Sequence, residues 1–185
     1  MTVNSEFAKS PLGGAKHGRE NAVLLQEVPF TPAFDLRAEP GSDGYNEVNL
    51  ALGLVLPTVV GASATSERFT ALCLGPDWWY LSGTGDIEGA LAHARATTHL
   101  SLVDVSAQRT KIEIFGPHAK DVLAHYWEQD LRDDHFGEGA CSQGVLAKAP
   151  VVLWHCCADC YIVFVRSSFA QHLWAALTDA TVEYL

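Results

Sequence analysis

Residues 103–123 carry the pattern that most constrains how this chain can fold. Polar and apolar side chains alternate from residue 109 to residue 114, which predicts a strand with one buried face. Gly116-Pro117 ends that strand, and proline suits the first helical position because the N–H that it lacks would have no partner there. Apolar residues then follow at helical offsets, namely Ala119, Val122, Leu123, Tyr126 and Trp127. The segment therefore predicts a strand that leads directly into an amphipathic helix.

Two strands followed by a helix are predicted three times along the chain, over residues 71–97, 100–127 and 151–178. Paired strands before each helix favour antiparallel ladders, with the helices packed on one face of a sheet. A further helix is predicted within residues 45–56, and a short strand within residues 34–37. The sequence therefore predicts an α+β fold.

The domain organisation follows from the place where this regularity begins. Residues 1–22 are polar, aperiodic and interrupted by glycine and proline, so we expect a tail that is either flexible or laid along a partner. Residues 23–185 are expected to form a single domain, because 185 residues are close to the length of one typical domain.

Charge and cysteine content exclude several classes of partner. The formal net charge is −10, and no run of lysine and arginine exceeds two residues, so neither nucleic acid nor an acidic membrane is expected to bind. Residues 48–66 lack charge, but Pro57 interrupts them, which favours a buried helix and a loop over a membrane span. Five cysteines, with no secretory signal in the sequence, predict a cytoplasmic location.

The sequence contains no glycine-rich nucleotide fingerprint and no nucleophile elbow. Gly83-Thr84-Gly85 lies between a predicted strand and a predicted helix, where backbone N–H groups can hold an anion, and we interpret it as a plain turn. Asp104 is either a functional carboxylate or a side chain that accepts hydrogen bonds from nearby backbone N–H groups, and we favour the second interpretation. We assign no catalytic residue and no cofactor-binding residue.

Residues 155–160 hold the densest group of potential metal ligands. Cys157 and Cys160 have the spacing of half a zinc site, and His155 and Cys156 can complete a tetrahedron. The same residues lie between two predicted strands, where a structural hairpin turn is expected, and four ligands within six residues strain around one ion. We therefore assign no metal site, and these four residues remain candidates for metal or redox chemistry.

Several motifs, taken together, resemble known families. Asp104-Val105-Ser106, a strand, and Gly116-Pro117-x-Ala119 resemble the folate-binding domain of aminomethyltransferases. A longer series over about residues 45–185 resembles the gamma subunit of heterotetrameric sarcosine oxidase. In order, the series reads Leu52-Gly53-Leu54-Val55-Leu56-Pro57, Leu74-Gly75-Pro76-Asp77-Trp78-Trp79-Tyr80-Leu81, Val103-Asp104-Val105-Ser106 with Arg109-Thr110, Gly116-Pro117-x-Ala119-x-Asp121-Val122-Leu123, Leu146-Ala147-Lys148-Ala149-Pro150-Val151, and Arg166-Ser167-Ser168-Phe169-Ala170 with Leu173-Trp174. The resemblance implies an aminomethyltransferase-like α+β fold for the domain.

The resemblance to the gamma subunit also implies a function. Such a complex demethylates sarcosine or another N-methyl amino acid, releases formaldehyde or passes the one-carbon unit to tetrahydrofolate, and produces hydrogen peroxide. FAD, FMN, NAD, zinc and tetrahydrofolate are implied on the alpha, beta and delta subunits and none of them on this chain. The gamma subunit has no established catalytic residue, so the implied role is structural.

Two alternatives remain open at the level of the sequence. The first is a stand-alone folate-binding, aminomethyltransferase-like protein, which the shared Asp-Val-Ser and Gly-Pro-x-Ala pattern supports. The second is a metal-binding module built on residues 155–160.

Overall fold

The computed structural model describes residues 10–185, which form two compact units. Among the described residues, the first unit combines residues 10–30 with Ala107–Leu185, and the second unit is Thr31–Ser106. The single domain expected over residues 23–185 stays a prediction, because the two units are defined only by their internal contacts.

The described residues contain eleven strands and five α-helices. The strands are β1 (Lys16–Arg19), β2 (Val23–Glu27), β3 (Ala33–Arg37), β4 (Ser63–Thr65), β5 (Phe69–Gly75), β6 (Trp78–Gly83), β7 (Ser101–Asp104), β8 (Arg109–Phe115), β9 (Cys141–Leu146), β10 (Ala149–Cys157) and β11 (Cys160–Arg166). The helices are α1 (Asp43–Leu52), α2 (Ile87–Ala90), α3 (Ala92–Thr97), α4 (Ala119–Ala124) and α5 (Ala170–Ala180). Short 3-10 turns, Ser167–Phe169 and Val182–Tyr184, flank α5.

The first unit is a six-stranded antiparallel sheet in the order β1-β2-β8-β11-β10-β9. Strand β8 shows the predicted alternation, since Ile112 and Ile114 are fully buried while Lys111 and Glu113 are half-buried. The buried side chains of this strand join those of α4 and α5 in one apolar core. Burying alternate residues against helices stabilises the sheet, because it removes their apolar surface from water.

The second unit is a five-stranded antiparallel sheet in the order β4-β5-β6-β3-β7. The helix expected within residues 45–56 is α1, which is capped by Ser42 and ends at Gly53 in the left-handed conformation. The core of this unit surrounds Trp79, whose indole N–H donates to the carbonyl of Pro57 at 2.7 Å. The tyrosine ring of Tyr45 lies 5.8 Å from the indole ring.

Both units therefore confirm the predicted α+β class, with antiparallel strands and few helices. No helix among residues 10–185 has the length and apolar character needed to cross a membrane.

The tail predicted for residues 1–22 is ordered in its described part. Strand β1 pairs with β2, and the carboxylate of Glu27 accepts hydrogen bonds from the hydroxyl of Ser10 and, at 2.6 Å, from the backbone N–H of Gly14. The sequence pattern missed this strand because β1 is a short, largely exposed edge strand without apolar alternation. Residues 1–9 of the predicted tail lie outside the described residues.

Candidate functional site

The Asp104-Val105-Ser106 motif fastens the end of β7 to the start of β3. Asp104 Oδ1 accepts a hydrogen bond of 2.9 Å from the backbone N–H of Ser106. The buried Ser106 hydroxyl accepts a hydrogen bond from the Ala33 N–H at 2.9 Å and donates one to the Ala33 carbonyl at 3.2 Å. The backbone N–H of Val105 donates to the same carbonyl at 2.9 Å. The motif therefore closes a sheet corner, and the backbone-bonding interpretation of Asp104 is confirmed.

Replacing Ser106 with alanine is expected to destabilise the protein by about 1–3 kcal/mol, because the buried N–H of Ala33 loses its acceptor. Thermal or urea denaturation measures this loss. Ser101→Ala serves as the control, since Ser101 is exposed at the start of β7 and the loss of its hydroxyl should change stability by less than about 0.5 kcal/mol. Equal losses in the two variants would contradict a special role for the Ser106 hydroxyl.

The Gly116-Pro117 turn is also structural. Gly116 has a φ of 116°, and a Cβ atom there would lie 2.7 Å from the carbonyl oxygen of Ala22. Its N–H donates to the carbonyl of Asp159 at 3.0 Å. Helix α4 begins at Ala119, so Pro117 lies in the turn before the helix rather than at its predicted first position. The glycine permits a left-handed backbone and a close approach of two chain segments.

Gly83-Thr84-Gly85 lies at the end of β6, and both glycines are packed against the start of β5. A Cβ atom at Gly83 would lie 2.0 Å from the carbonyl oxygen of Arg68, and one at Gly85 would lie 2.5 Å from the ring of Phe69. The following helix, α2, has only four residues. Close packing therefore explains both glycines, in agreement with the interpretation of the motif as a turn.

Residues 155–160 form the tip of the β10–β11 hairpin. Cys157 pairs with Cys160 across a two-residue turn, in which Asp159 adopts a positive φ of 53°. The pairing register shifts between His155 and Cys157, so that β10 has a β-bulge beside the turn. The structure thus contains the hairpin that the sequence predicts, together with a bulge that it does not.

The thiols of Cys156, Cys157 and Cys160 form a cluster at this tip, with all three Sγ atoms within 4.8 Å of one another. We call these three residues the thiol cluster. Cys160 Sγ also lies 3.6 Å from Oε1 of Glu113 on the adjacent strand β8. The sequence analysis did not include Glu113, because only the pairing of β8 with β11 brings it near the turn.

His155 does not join the thiol cluster. Its ring is buried, stacks on the ring of Tyr161 with centroids 4.4 Å apart, and bonds through Nδ1 to the carbonyl of Phe136 at 3.0 Å. His155 pairs with Tyr161 in the ladder, so the two side chains lie on the same face of the sheet. At Tyr161 this face belongs to the apolar core of the first unit. The structure therefore separates the four candidate ligands into three thiols and one core histidine.

The electrostatic environment of the thiol cluster differs from that of a nucleophilic cysteine. Burial raises the pKa of the Cys157 thiol, and the neighbouring Cys156 thiol raises the pKa of Cys160 strongly. Nucleophilic cysteines have lowered pKa values, because a nearby positive charge or a helix N-terminus stabilises the thiolate. Cys157 and Cys160 therefore lack the setting that activates a catalytic thiol.

Exposed apolar side chains are concentrated in the uncharged stretch over residues 48–66. Leu50, Val55, Val59 and Val60 have between 54% and 77% of their surface exposed. Leu50 lies in α1 and the three valines lie in the loop that follows it, and we call these four residues the apolar loop patch. Exposed apolar surface of this kind is typical of protein–protein contacts.

Comparison with solved structures places the fold in a class. The fold resembles the glycine cleavage system aminomethyltransferase T from Bartonella henselae, with a TM-score of 0.61 at 11% identity over 90% of this chain and 56% of that chain. At this identity the likeness shows the fold alone. The chain thus has an aminomethyltransferase-like α+β fold, in which the motifs at residues 104–106 and 116–119 have structural roles.

Sequence comparison then identifies the family. Residues 38–183 match the model of the sarcosine oxidase, gamma subunit family. The gamma subunit from Corynebacterium sp. (strain U-96) is 35% identical, and the match covers 100% of this chain and 95% of that protein; the one from Arthrobacter sp. is 34% identical over 92% of this chain and 85% of its own length. The chain belongs to the sarcosine oxidase gamma subunit family, as the sequence motifs predict.

The structural match within the family is extensive. A chain of the heterotetrameric sarcosine oxidase from Corynebacterium sp. U-96, solved in complex with pyrrole 2-carboxylate, superposes with a TM-score of 0.88 at 32% identity. The superposition covers 96% of each chain, so the two chains correspond along nearly their whole length.

Proposed function

We propose that this chain is a non-catalytic structural subunit of a heterotetrameric, flavin-dependent sarcosine oxidase. The observation that carries the proposal is its similarity, over 96% of both chains, to a chain of a heterotetrameric sarcosine oxidase. In this proposal the complex demethylates sarcosine or another N-methyl amino acid to glycine. It yields formaldehyde or methylenetetrahydrofolate and hydrogen peroxide, which makes it an oxidoreductase of one-carbon metabolism.

The proposal assigns the cofactors to other chains. FAD, FMN, NAD, zinc and tetrahydrofolate would bind to alpha, beta and delta subunits, while this chain would contribute contacts. The structural roles of Ser106 and Gly116 support that assignment, because these two motif residues maintain the fold. A cytoplasmic location is part of the same proposal, and the five cysteines, all free thiols, are consistent with it.

We assign the apolar loop patch to the contact with a neighbouring oxidase subunit. Its four exposed side chains lie in a stretch without a charged residue, although the chain as a whole carries a net charge of −10. Charged residues are depleted in the cores of protein interfaces, which makes an uncharged stretch a suitable contact.

Affinity purification of this chain from its native host tests the assembly. We expect a yellow complex that contains three further subunits, with the visible absorption of flavin and sarcosine-dependent production of hydrogen peroxide. A colourless chain that purifies alone would contradict the proposal. Tight tetrahydrofolate binding by that isolated chain, measured by calorimetry, would instead favour the stand-alone folate-binding protein.

Charge substitution tests the assigned contact. Val59→Asp combined with Val60→Asp places two carboxylates in the apolar loop patch, so co-purification of the partner subunits should fall by at least about tenfold, because buried unpaired charges are costly. Val182→Asp is the control, since Val182 is 70% exposed and lies near the C-terminus. If both variants retain their partners, the contact lies elsewhere on the chain.

A further inference from the structure

The β-bulge at the end of β10 gives adjacent cysteines a common direction. In a regular strand, neighbouring side chains such as those of Cys156 and Cys157 point to opposite faces. The register shift leaves Cys156 between the His155–Tyr161 and Cys157–Cys160 pairs, and all three Sγ atoms come within 4.8 Å of one another. Bulges commonly redirect a side chain in this way. The hairpin thus gathers three soft ligands that a regular ladder would have separated.

The spacing of the sulfur atoms suits one metal ion. Thiolates bind zinc at about 2.3 Å, so two sulfurs on a tetrahedral ion lie roughly 3.8 Å apart. The observed limit of 4.8 Å requires only small side-chain rotations to reach that spacing. Cys160 Sγ and Glu113 Oε1, at 3.6 Å, are already separated by roughly the distance expected between a sulfur and an oxygen ligand of the same ion.

Access and orientation agree with such a site. Cys157 is exposed and Cys156 is partly exposed, so an ion can reach the cluster from solvent, while Cys160 is buried at the inner side. Ring stacking and a hydrogen bond hold His155 in its own position, so the histidine nitrogen that spacing alone suggests is not one of the ligands.

We propose that Cys156, Cys157 and Cys160 form a three-thiolate site for a zinc-like, thiolate-preferring divalent cation, with the carboxylate of Glu113 as the ligand for the fourth position. Binding releases the thiol protons and joins the two strands at the hairpin tip, so the ion stabilises the folded hairpin. This site is independent of the proposed oxidase assembly, because all of its ligands belong to this chain.

Zinc titration of the full-length, reduced chain against a chromogenic chelator tests the proposal. We expect one zinc ion per chain and an increase in melting temperature on adding zinc. Cys157→Ser should weaken zinc binding by at least about 100-fold, because the loss of a direct ligand should exceed the roughly 10–100-fold effect of outer-shell changes. Cys157 is exposed, so this substitution leaves the core packing unchanged.

Cys73→Ser is the matched control. Its thiol is buried in β5 and donates to the carbonyl of Gly75 at 3.3 Å, a hydrogen bond that serine can retain. This variant should bind zinc as the parent chain does. Cadmium, used as a spectroscopic substitute for zinc, should produce a near-ultraviolet sulfur-to-metal band that weakens in Cys157→Ser. Absence of zinc binding, or equal binding by the two variants, would overturn the proposal.

Discussion

Replacing Gly83 with alanine is expected to destabilise the protein by at least about 3 kcal/mol, at the upper end of overpacking effects. The added Cβ would lie 2.0 Å from the carbonyl oxygen of Arg68 and 3.0 Å from Cα of Phe69. Both are backbone atoms, so no side-chain rotation can relieve the contact, and β5 and β6 must separate where Phe69 pairs with Gly83. The melting temperature should fall by roughly 6–12 °C.

Gly75→Ala is the control for this substitution. Gly75 lies at the opposite end of the same pair of strands, and its added Cβ would meet the Cβ of Trp78 at 3.4 Å, an ordinary contact. We expect a change within about 1 kcal/mol, since the strand conformation accepts alanine. Similar melting temperatures for the two variants would show that the Arg68 backbone moves aside readily.

The second large effect is expected at Trp79. This side chain is fully buried in the core of the second unit, and its indole N–H donates to the Pro57 carbonyl at 2.7 Å. Trp79→Ala should cost about 3–5 kcal/mol, since it leaves a large cavity and an unpaired carbonyl. Trp79→Phe keeps most of the apolar volume and should cost less. Urea denaturation followed by circular dichroism measures both losses.

Trp78 supplies the matched comparison. It neighbours Trp79 on β6, but its indole N–H has no hydrogen-bond partner within residues 10–185, and its ring lies under the Arg37 guanidinium at 5.0 Å. Trp78→Phe therefore loses no hydrogen bond and keeps an aromatic face, so it should cost less than Trp79→Phe. The reverse order would mean that the Trp79 hydrogen bond contributes little to stability.

Much of the fold could be predicted because it depends on local patterns. Alternation over β8 indicated which residues face the core, and the place of Asp104 at the end of a predicted strand indicated a carboxylate that bonds backbone N–H groups. These features depend on neighbouring residues and on elementary backbone chemistry. Sequence analysis therefore reached the α+β class and the family without knowledge of strand pairing.

Other features depend on pairing between distant residues and could not be predicted. Strand β2 lies beside β8, and nothing in either segment specifies the other as its neighbour. The bulge at Cys156 shifts one residue in a ladder, which changes the direction of a side chain without any local signal in the sequence. For that reason the sequence analysis groups His155 with three cysteines, whereas in the structure the His155 ring bonds to the Phe136 carbonyl and lies outside their cluster.

The division of the first unit along the chain has a consequence for biosynthesis. Its strands β1 and β2 leave the ribosome early, but β2 must wait for β8, which follows the whole of residues 31–106. The second unit is contiguous, so all of its strands emerge before that partner does. During translation, the edge of β2 that later pairs with β8 therefore stays open, and a chaperone or a neighbouring nascent chain can bind there.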